Sequence, residues 1–261
     1  MDFPRIECSE IGLDYETTGL KYWSPDFRAF GIAVATADQE WYFDVRDYPR
    51  VGDWLRDTLP GKTVIAHNAQ YEYQVTRTFN IDPRECDWYC TMVAECLIYE
   101  HNLTYDLESV AGYNGVESKK GFWLDQIQAA LGVRSHVEAL ARLHEAPRGL
   151  VGSYGSSDAR ICFDIAQNQK LEIAKQDLQQ VVELECRLLP VLADMSYRGV
   201  RVNIGAAHEA IPKLDQQEFE VAKRIKELTG CADPSVFVNS PKQMREFFKP
   251  EPVNKYQWRL I

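Results

Sequence analysis

Positive charge is scarce in this chain. Twenty-nine Lys and Arg face 39 Asp and Glu, for a formal net charge of −10. That balance excludes a protein that coats nucleic acid along its length, which is usually basic. It leaves open an enzyme that takes one nucleic-acid end into a cleft where metal ions supply the positive charge. No apolar run approaches the ~18 or more residues of a membrane-spanning helix. The opening residues, Met1-Asp2-Phe3-Pro4-Arg5, lack a basic region followed by an apolar one, so no secretory signal is expected. The seven cysteines are odd in number, scattered and without a C-x-x-C pair, which fits reduced thiols in a cytosol-like compartment. Cys86, Cys90 and Cys96 match no zinc spacing and the five histidines are scattered, so no zinc site is expected. Internal repeats and low-complexity tracts are also missing. What is there is ordinary globular composition, 45% hydrophobic and 26% charged, in 261 residues. That is enough chain for one large domain or two smaller ones.

Residues 9–45 read as strands. Ile11 to Leu13 lead into an acidic pair, residues 27–36 (FRAFGIAVAT) are apolar and β-rich, and residues 40–45 (EWYFDV) are aromatic and alternating. Short polar turns between them predict an antiparallel meander. Helical spacing follows over 48–59, ending before Pro60-Gly61. Residues 63–66 (TVIA) read as a short buried strand, 69–79 as a helix, and 88–99 as a strand passing into a helix. Strands first, then helices alternating with strands, predict an α/β domain with a mixed sheet. Residues 104–145 read as short helices. Residues 149–157 (GLVGSYGSS) read as a loop from their Gly and Ser content. A long amphipathic pattern starts at Asp158 and is expected to break or kink at Pro190. Residues 206–228 read as an exposed, highly charged helix.

Three segments carry candidate chemistry. In Gly12-Leu13-Asp14-Tyr15-Glu16-Thr17-Thr18-Gly19-Leu20, Asp14 and Glu16 stand two apart on a strand and so share a face. Two carboxylates on one face repel unless a cation lies between them, and a hard divalent ion with oxygen ligands meets that need. The plainer alternative is an exposed edge strand. In Ala66-His67-Asn68-Ala69-Gln70-Tyr71-Glu72, Glu72 falls in the first turn of a helix, where an acid also complements the helix dipole. In Tyr154-Gly155-Ser156-Ser157-Asp158, Tyr and Asp four apart share a helix face. There the alternatives are a packing aromatic and an N-cap or first-turn acid at a helix start.

The series D-x-E, H-N-x-x-Y-E and Y-x-x-x-D, in this order, resembles the DEDD 3′–5′ exonucleases. Tyr four residues before the last Asp resembles the tyrosine subclass, which includes the proofreading domains of family A DNA polymerases and the RNase D-like enzymes. The resemblance covers most of residues 10–175. It implies an α/β, RNase H-like (DnaQ-like exonuclease) fold, a mixed β-sheet flanked by helices. It also implies two divalent metal ions, Mg2+ or Mn2+, about 3.5–4 Å apart, which activate a water and stabilise the leaving oxygen. Asp14, Glu16 and Asp158 would hold one ion, and Asp14 is shared with a second that Glu72 supports directly or through water. Tyr154 would orient the attacking water. Asn68 would fix the metal-shell geometry or touch substrate, and Thr17 and Leu20 match positions that contact the terminal nucleotide, Leu20 as a wedge. Two positions depart from the family. Glu72 stands where Asp is usual, longer by one methylene, and Cys90-Thr91 stands where Asp-Thr is frequent.

Residues 183–203 (ELECRLLPVLADMSYRGVRVN) resemble the segment that opens the polymerase region of family A enzymes, and residues 237–248 (FVNSPKQMREFF) resemble the following helix near the thumb base. No segment resembles the palm and fingers motifs. The expected organisation is therefore an exonuclease domain over 1–180 and a C-terminal helical appendage over 181–261 without catalytic carboxylates. The expected substrate is a DNA 3′ end, single-stranded or a frayed primer terminus. The expected partner is a separate polymerase part or another replication protein, with no membrane, in the host cytosol if the chain is phage-encoded. Two other readings stay open: a weakened exonuclease fold kept as a DNA-binding or polymerase-docking platform, and an RNase D-like RNA 3′ exonuclease.

Overall fold

The computed structural model describes residues 3–118 and 120–249. The chain begins with the expected meander: β1 (Glu10–Thr17), β2 (Ala29–Ala35) and β3 (Glu40–Asp44), each antiparallel to the one before. Helix α1 (Val51–Thr58) leads to β4 (Thr63–Ala66), and α2 (Ala69–Arg77) leads to β5 (Asp87–Cys90). Both β4 and β5 run parallel to β1, giving a five-stranded mixed sheet in the order β3-β2-β1-β4-β5. The helices α3 (Thr91–Ile98), α4 (Leu107–Tyr113), α5 (Lys120–Leu131) and α6 (His136–Ala141) follow, then α7 (Arg148–Lys175) and α8 (Gln179–Arg198). This is the mixed-sheet α/β domain that the strand-first pattern implies, in the RNase H-like architecture that the resemblance implies.

The period-2 pattern of β1 sorts its side chains onto the two faces of the sheet. Ile11, Leu13 and Tyr15 enter an apolar cluster with Ile32, Val34, Phe43, Trp54, Leu55, Leu59 and Tyr73. Gly12, Asp14 and Glu16 face the other way, toward α7. That face is made of small residues. Ala33 and Ala35 pack there with Ile65, Ala159, Ile161, Cys162 and Ile165. A Cβ on Gly12 would lie 2.3 Å from the carbonyl oxygen of Ala159, so the close seating of α7 on β1 requires glycine at that position.

Three local expectations are corrected. Residues 149–157 are not a loop; α7 starts at Arg148 and runs through them. Gly and Ser weaken a helix standing alone, but burial of its face supplies the missing stability. Gly152 and Gly155 let the helix close on Tyr42 of β3. It follows that Tyr154 and Asp158 lie well inside α7 and not at its start. The break in the long amphipathic stretch falls at residues 176–178, where Asp177 takes a positive φ of 57°, and Pro190 sits inside α8 without ending it. Val182, Cys186, Leu189 and Ala193 are buried along α8 on both sides of the proline, and this packing holds the helix together.

By contacts the chain divides into two units, at Gly199/Val200. The first carries the sheet and α1 to α8. The described part of the second is helical: α9 (Ile204–Thr229), α10 (Pro234–Val238) and α11 (Pro241–Phe248). Asn203, Asp233 and Ser240 accept backbone N–H bonds at the three helix starts. Residues 250–261 of the sequence-defined appendage lie outside the described residues.

Candidate active site

The acids of the three motifs arrive from three elements. Asp14 and Glu16 project from β1, Glu72 from the first turn of α2, and Asp158 from α7. All four, with Tyr154, line one cleft of about 750 Å³ in the first unit. Thr17 and Leu20 lie along the same cleft, where β1 gives way to a turn, and Leu20 is 77% exposed. Asn68 is not among the lining residues. Its backbone is left-handed, φ 56°, at the junction of β4 and α2, and its side chain is exposed. The residue serves the tight strand-to-helix turn, a conformation Asn tolerates better than most residues.

Glu16, Glu72 and Asp158 are buried. Each has one carboxylate oxygen, Oε1, Oε2 and Oδ1 respectively, without a hydrogen-bond partner among the described residues. A helix-dipole role needs neither burial nor an unpartnered oxygen, so the plain reading of Glu72 as a surface acid fails on its environment. Burial, then the charge of Asp158, raises the Asp14 pKa to about 7 from 3.8, against the opposing pull of Lys120. Glu16 is pushed well up by burial and then by Asp14 and Asp158. Glu72 rises by burial and then by Asp14 and Glu16. Asp158 also rises by burial, with Lys120 acting against the shift. Desolvation raises all four, and repulsion from the neighbouring site acids adds to it at Asp14, Glu16 and Glu72.

Among the described residues one cation stands with them. Lys120, the first residue of α5, places Nζ 3.6 Å from Asp158 Oδ2 and 5.7 Å from the centre of the Tyr154 ring. Burial opposes its charge, yet Asp158, Asp14 and Glu16 outweigh that and hold its pKa above the usual lysine value. Burial and the neighbouring Asp158 push the Tyr154 hydroxyl far above its ordinary range, so it keeps its proton at neutral pH.

The walls are organised by two neutral networks. His67 Nε2–H donates to the Tyr105 carbonyl at 2.9 Å, which leaves Nδ1 to accept from the Thr91 hydroxyl at 2.9 Å. Burial lowers the His67 pKa to about 4, so the ring stays neutral and ties the end of β4 to the entry of α4. Thr91 thus has a structural duty, while Cys90 before it is buried at the end of β5. At the other end of the cleft, the Thr17 and Tyr71 hydroxyls lie 2.6 Å apart, and Tyr71 donates to the Gly19 carbonyl at 2.9 Å.

Lys120, His67 and Tyr71 are site residues to which sequence reasoning gave no role. His67 and Tyr71 lay inside a quoted motif. Lys120 carried no signal, because nothing in its spacing ties it to the acids; only the packing of α5 beside α7 does so.

No family model matches the chain. DNA polymerase DpoZ of Acinetobacter phage SH-Ab 15497 is 32% identical over 258 residues, a match covering 96% of this chain and 40% of that protein. DNA polymerase DpoZ of Vibrio phage phiVC8 is 32% identical over 266 residues, covering 95% and 41%. Over nearly its whole length the chain is similar in sequence to these phage DNA polymerases. It spans about two-fifths of the length of these relatives, 40% and 41%. Among solved structures, the POL domain of Pol1 from M. smegmatis, in complex with DNA primer-template and dNTP, matches 95% of this chain and 38% of that one. Its TM-score is 0.63 and its identity 20%. Brucella melitensis NrnC with bound Mg2+ matches 74% of this chain and 87% of its own, with a TM-score of 0.53 at 15% identity. A structure described as the apo form of the nuclease matches 73% and 86%, with a TM-score of 0.53 at 17% identity. These likenesses, all at 20% identity or below, establish the fold: the RNase H-like mixed sheet flanked by helices.

Proposed function

We propose that the chain is a metal-dependent 3′–5′ DNA exonuclease of the proofreading kind, which hydrolyses the terminal phosphodiester and releases nucleoside monophosphates. The observation that carries this reading is the convergence of Asp14, Glu16, Glu72 and Asp158 on one cleft, with three buried carboxylate oxygens unpartnered among the described residues. Buried carboxylates without compensating partners are costly. Lys120 compensates for part of their charge, and a cation-binding role accounts for the rest.

The donor set, anionic and all oxygen, fits a hard divalent ion such as Mg2+ or Mn2+. Among the described residues no three acidic, His or Cys side chains stand ready around one point. The fit therefore lies in donor chemistry and unmet bonding capacity, not in a preformed shell. Asp14, Glu16 and Asp158 would hold one ion, and Asp14 with Glu72 a second. Bound there, the ions lower the pKa of a water and stabilise the charge on the leaving oxygen.

The chain's own groups do the rest. Tyr154, protonated at neutral pH, positions the water through its hydroxyl and does not deprotonate it. Lys120 offers positive charge to the incoming phosphodiester in a cleft otherwise lined by acids. Thr17 and the exposed Leu20 hold and wedge the terminal nucleotide at the mouth, where an unpaired 3′ base is cheapest to hold apart.

The phage relatives are DNA polymerases, and the Pol1 likeness is to a domain solved with DNA primer-template. Both support a primer 3′ end as substrate and a polymerase part as partner, with the second helical unit as the polymerase-side segment. The test is gel-resolved digestion of 3′-mismatched and single-stranded DNA carrying a 5′ label, with magnesium or chelator. Stepwise shortening from the 3′ end that stops in chelator is the expected result. Shortening from the 5′ end, or metal-independent cleavage, overturns the proposal. Faster digestion of RNA of the same sequence would move the assignment to RNA 3′-end processing.

A further inference from the structure

Tyr42 of β3 carries a buried hydroxyl with no hydrogen-bond partner among the described residues. Register places it close to the acids. Tyr42 pairs with Ala33 of β2, which pairs with Asp14 of β1; in the next row Asp44 pairs with Gly31, which pairs with Glu16. The ring of Tyr42 leans across Gly31. A Cβ built there would lie 2.1 Å from the hydroxyl oxygen and 2.7 Å from Cζ. Helix α7 closes over the ring with two more glycines. A Cβ on Gly152 would lie 3.1 Å from Cδ1, and one on Gly155 would lie 3.2 Å from Cε2. The same Cβ on Gly155 would lie 3.1 Å from Glu16 Oε1, the unpartnered oxygen of that acid. Three glycines on two elements, β2 and α7, thus make a slot that brings a phenol beside Glu16.

The slot holds one donor without an acceptor and one acceptor without a donor. The other nearby acid does not need the phenol, because Asp44 already accepts from the backbone and guanidinium of Arg46. A phenol hydroxyl, with an ordinary pKa of about 10, is a donor at neutral pH. Leaving a buried hydroxyl unpaired costs stability, which packing alone does not repay.

We propose that Tyr42 is the positioning residue of Glu16: its hydroxyl donates to Glu16 Oε1 when that carboxylate is ionised, fixing the direction in which Glu16 presents its other oxygen to a divalent ion. This rests on the metal-dependent reading of the cleft. Hydrogen bonds to ligating carboxylates commonly change metal affinity by 10- to 100-fold.

The decisive variant is Tyr42→Phe, which removes one oxygen and keeps the ring in its slot. Binding of Mn2+ alone is measured on the full chain by calorimetry or electron paramagnetic resonance, beside the Mn2+ dependence of DNA cleavage and the metal-free melting temperature. The expected result is a dissociation constant raised about tenfold, a matching shift in the Mn2+ needed for cleavage, recovery of cleavage at saturating Mn2+, and a metal-free melting temperature unchanged or higher. On a Glu16→Gln background, Tyr42→Phe should change Mn2+ affinity by less than about twofold, since the coupled partner is altered. Parent-like Mn2+ affinity in Tyr42→Phe, or an undiminished effect on the Glu16→Gln background, overturns the assignment of Tyr42 alone. A parent chain that binds no Mn2+ overturns the metal-dependent function itself, and this inference with it.

Discussion

The two faces of the central sheet are built on opposite terms. One face buries Ile11, Leu13 and Tyr15 against the aromatic and aliphatic side chains of α1 and α2. Two of its polar groups find partners there: the Tyr15 hydroxyl lies 3.1 Å from Thr76 Oγ1, and the Trp54 ring N–H donates to the Pro4 carbonyl at 2.9 Å. The other face, one residue away along the same strand, carries Asp14 and Glu16 into a cleft where like charges meet and carboxylate oxygens lack partners. The first face contributes stability, and the second draws on it. A strand can do both because alternation separates the two jobs by a single residue.

Neighbouring substitutions give the largest test of this division. Asp14→Ala should lower cleavage on the order of a hundredfold or more while leaving the melting temperature equal or higher, since it removes one of several crowded acids. Leu13→Ala, next to it, should cost about 2–5 kcal/mol of stability and leave the folded fraction active. Paired melts and initial rates check both. Near-parent cleavage by Asp14→Ala would end the metal-site assignment and break the comparison.

Glu72 gives the next largest effect. Glu72→Ala should cut cleavage strongly without unfolding the chain, and Glu72→Asp should retain part of it, since Asp is the residue the exonuclease family usually has. Initial rates across a magnesium titration separate the cases. If both variants cleave like the parent at every metal concentration, Glu72 is only an acid at a helix start.

The smallest effect concerns pH. The folded-state pKa of Asp14 is raised from 3.8 to about 7, so the folded chain holds its proton more tightly than the unfolded chain. The associated stability is full below about pH 3.8 and is lost as pH rises through about 7. The shifts of Glu16, Glu72 and Asp158 have the same sign. Without metal, the melting temperature should fall between pH 5 and pH 8. Adding Mn2+ at pH 8 should restore it, and Asp14→Asn should flatten the profile. A metal-free profile flat from pH 5 to 8 in the parent would show that the acids do not strain the fold.

Much of this was legible in the order of residues. The alternation of β1, the buried run of β4 and the strand-first pattern announced the mixed sheet, because backbone periodicity is a local property. Asp14 and Glu16 were paired by spacing alone, and Tyr154 and Asp158 share a helix face at any position in the helix. The start of α7 was not legible. Gly149, Gly152 and Gly155 disfavour a helix in isolation, and the burial of α7, with Gly152 and Gly155 seated on Tyr42, reverses that preference. The tolerance of α8 for Pro190 has the same origin, in buried side chains on either side. The left-handed backbone of Asn68, which turns the chain between β4 and α2, was not legible either.

The sequence by itself determined which residues alternate, which share a helix face and which acids exist to be gathered, since these depend on bonds between near neighbours. Tertiary structure alone decided that acids from β1, α2 and α7 meet, that Lys120 stands among them, and that the Tyr42 phenol lies beside Glu16. Those outcomes depend on how closely α7 and α5 pack on the sheet. That closeness is set by the volume of small side chains summed over distant positions, which no local pattern in the chain expresses.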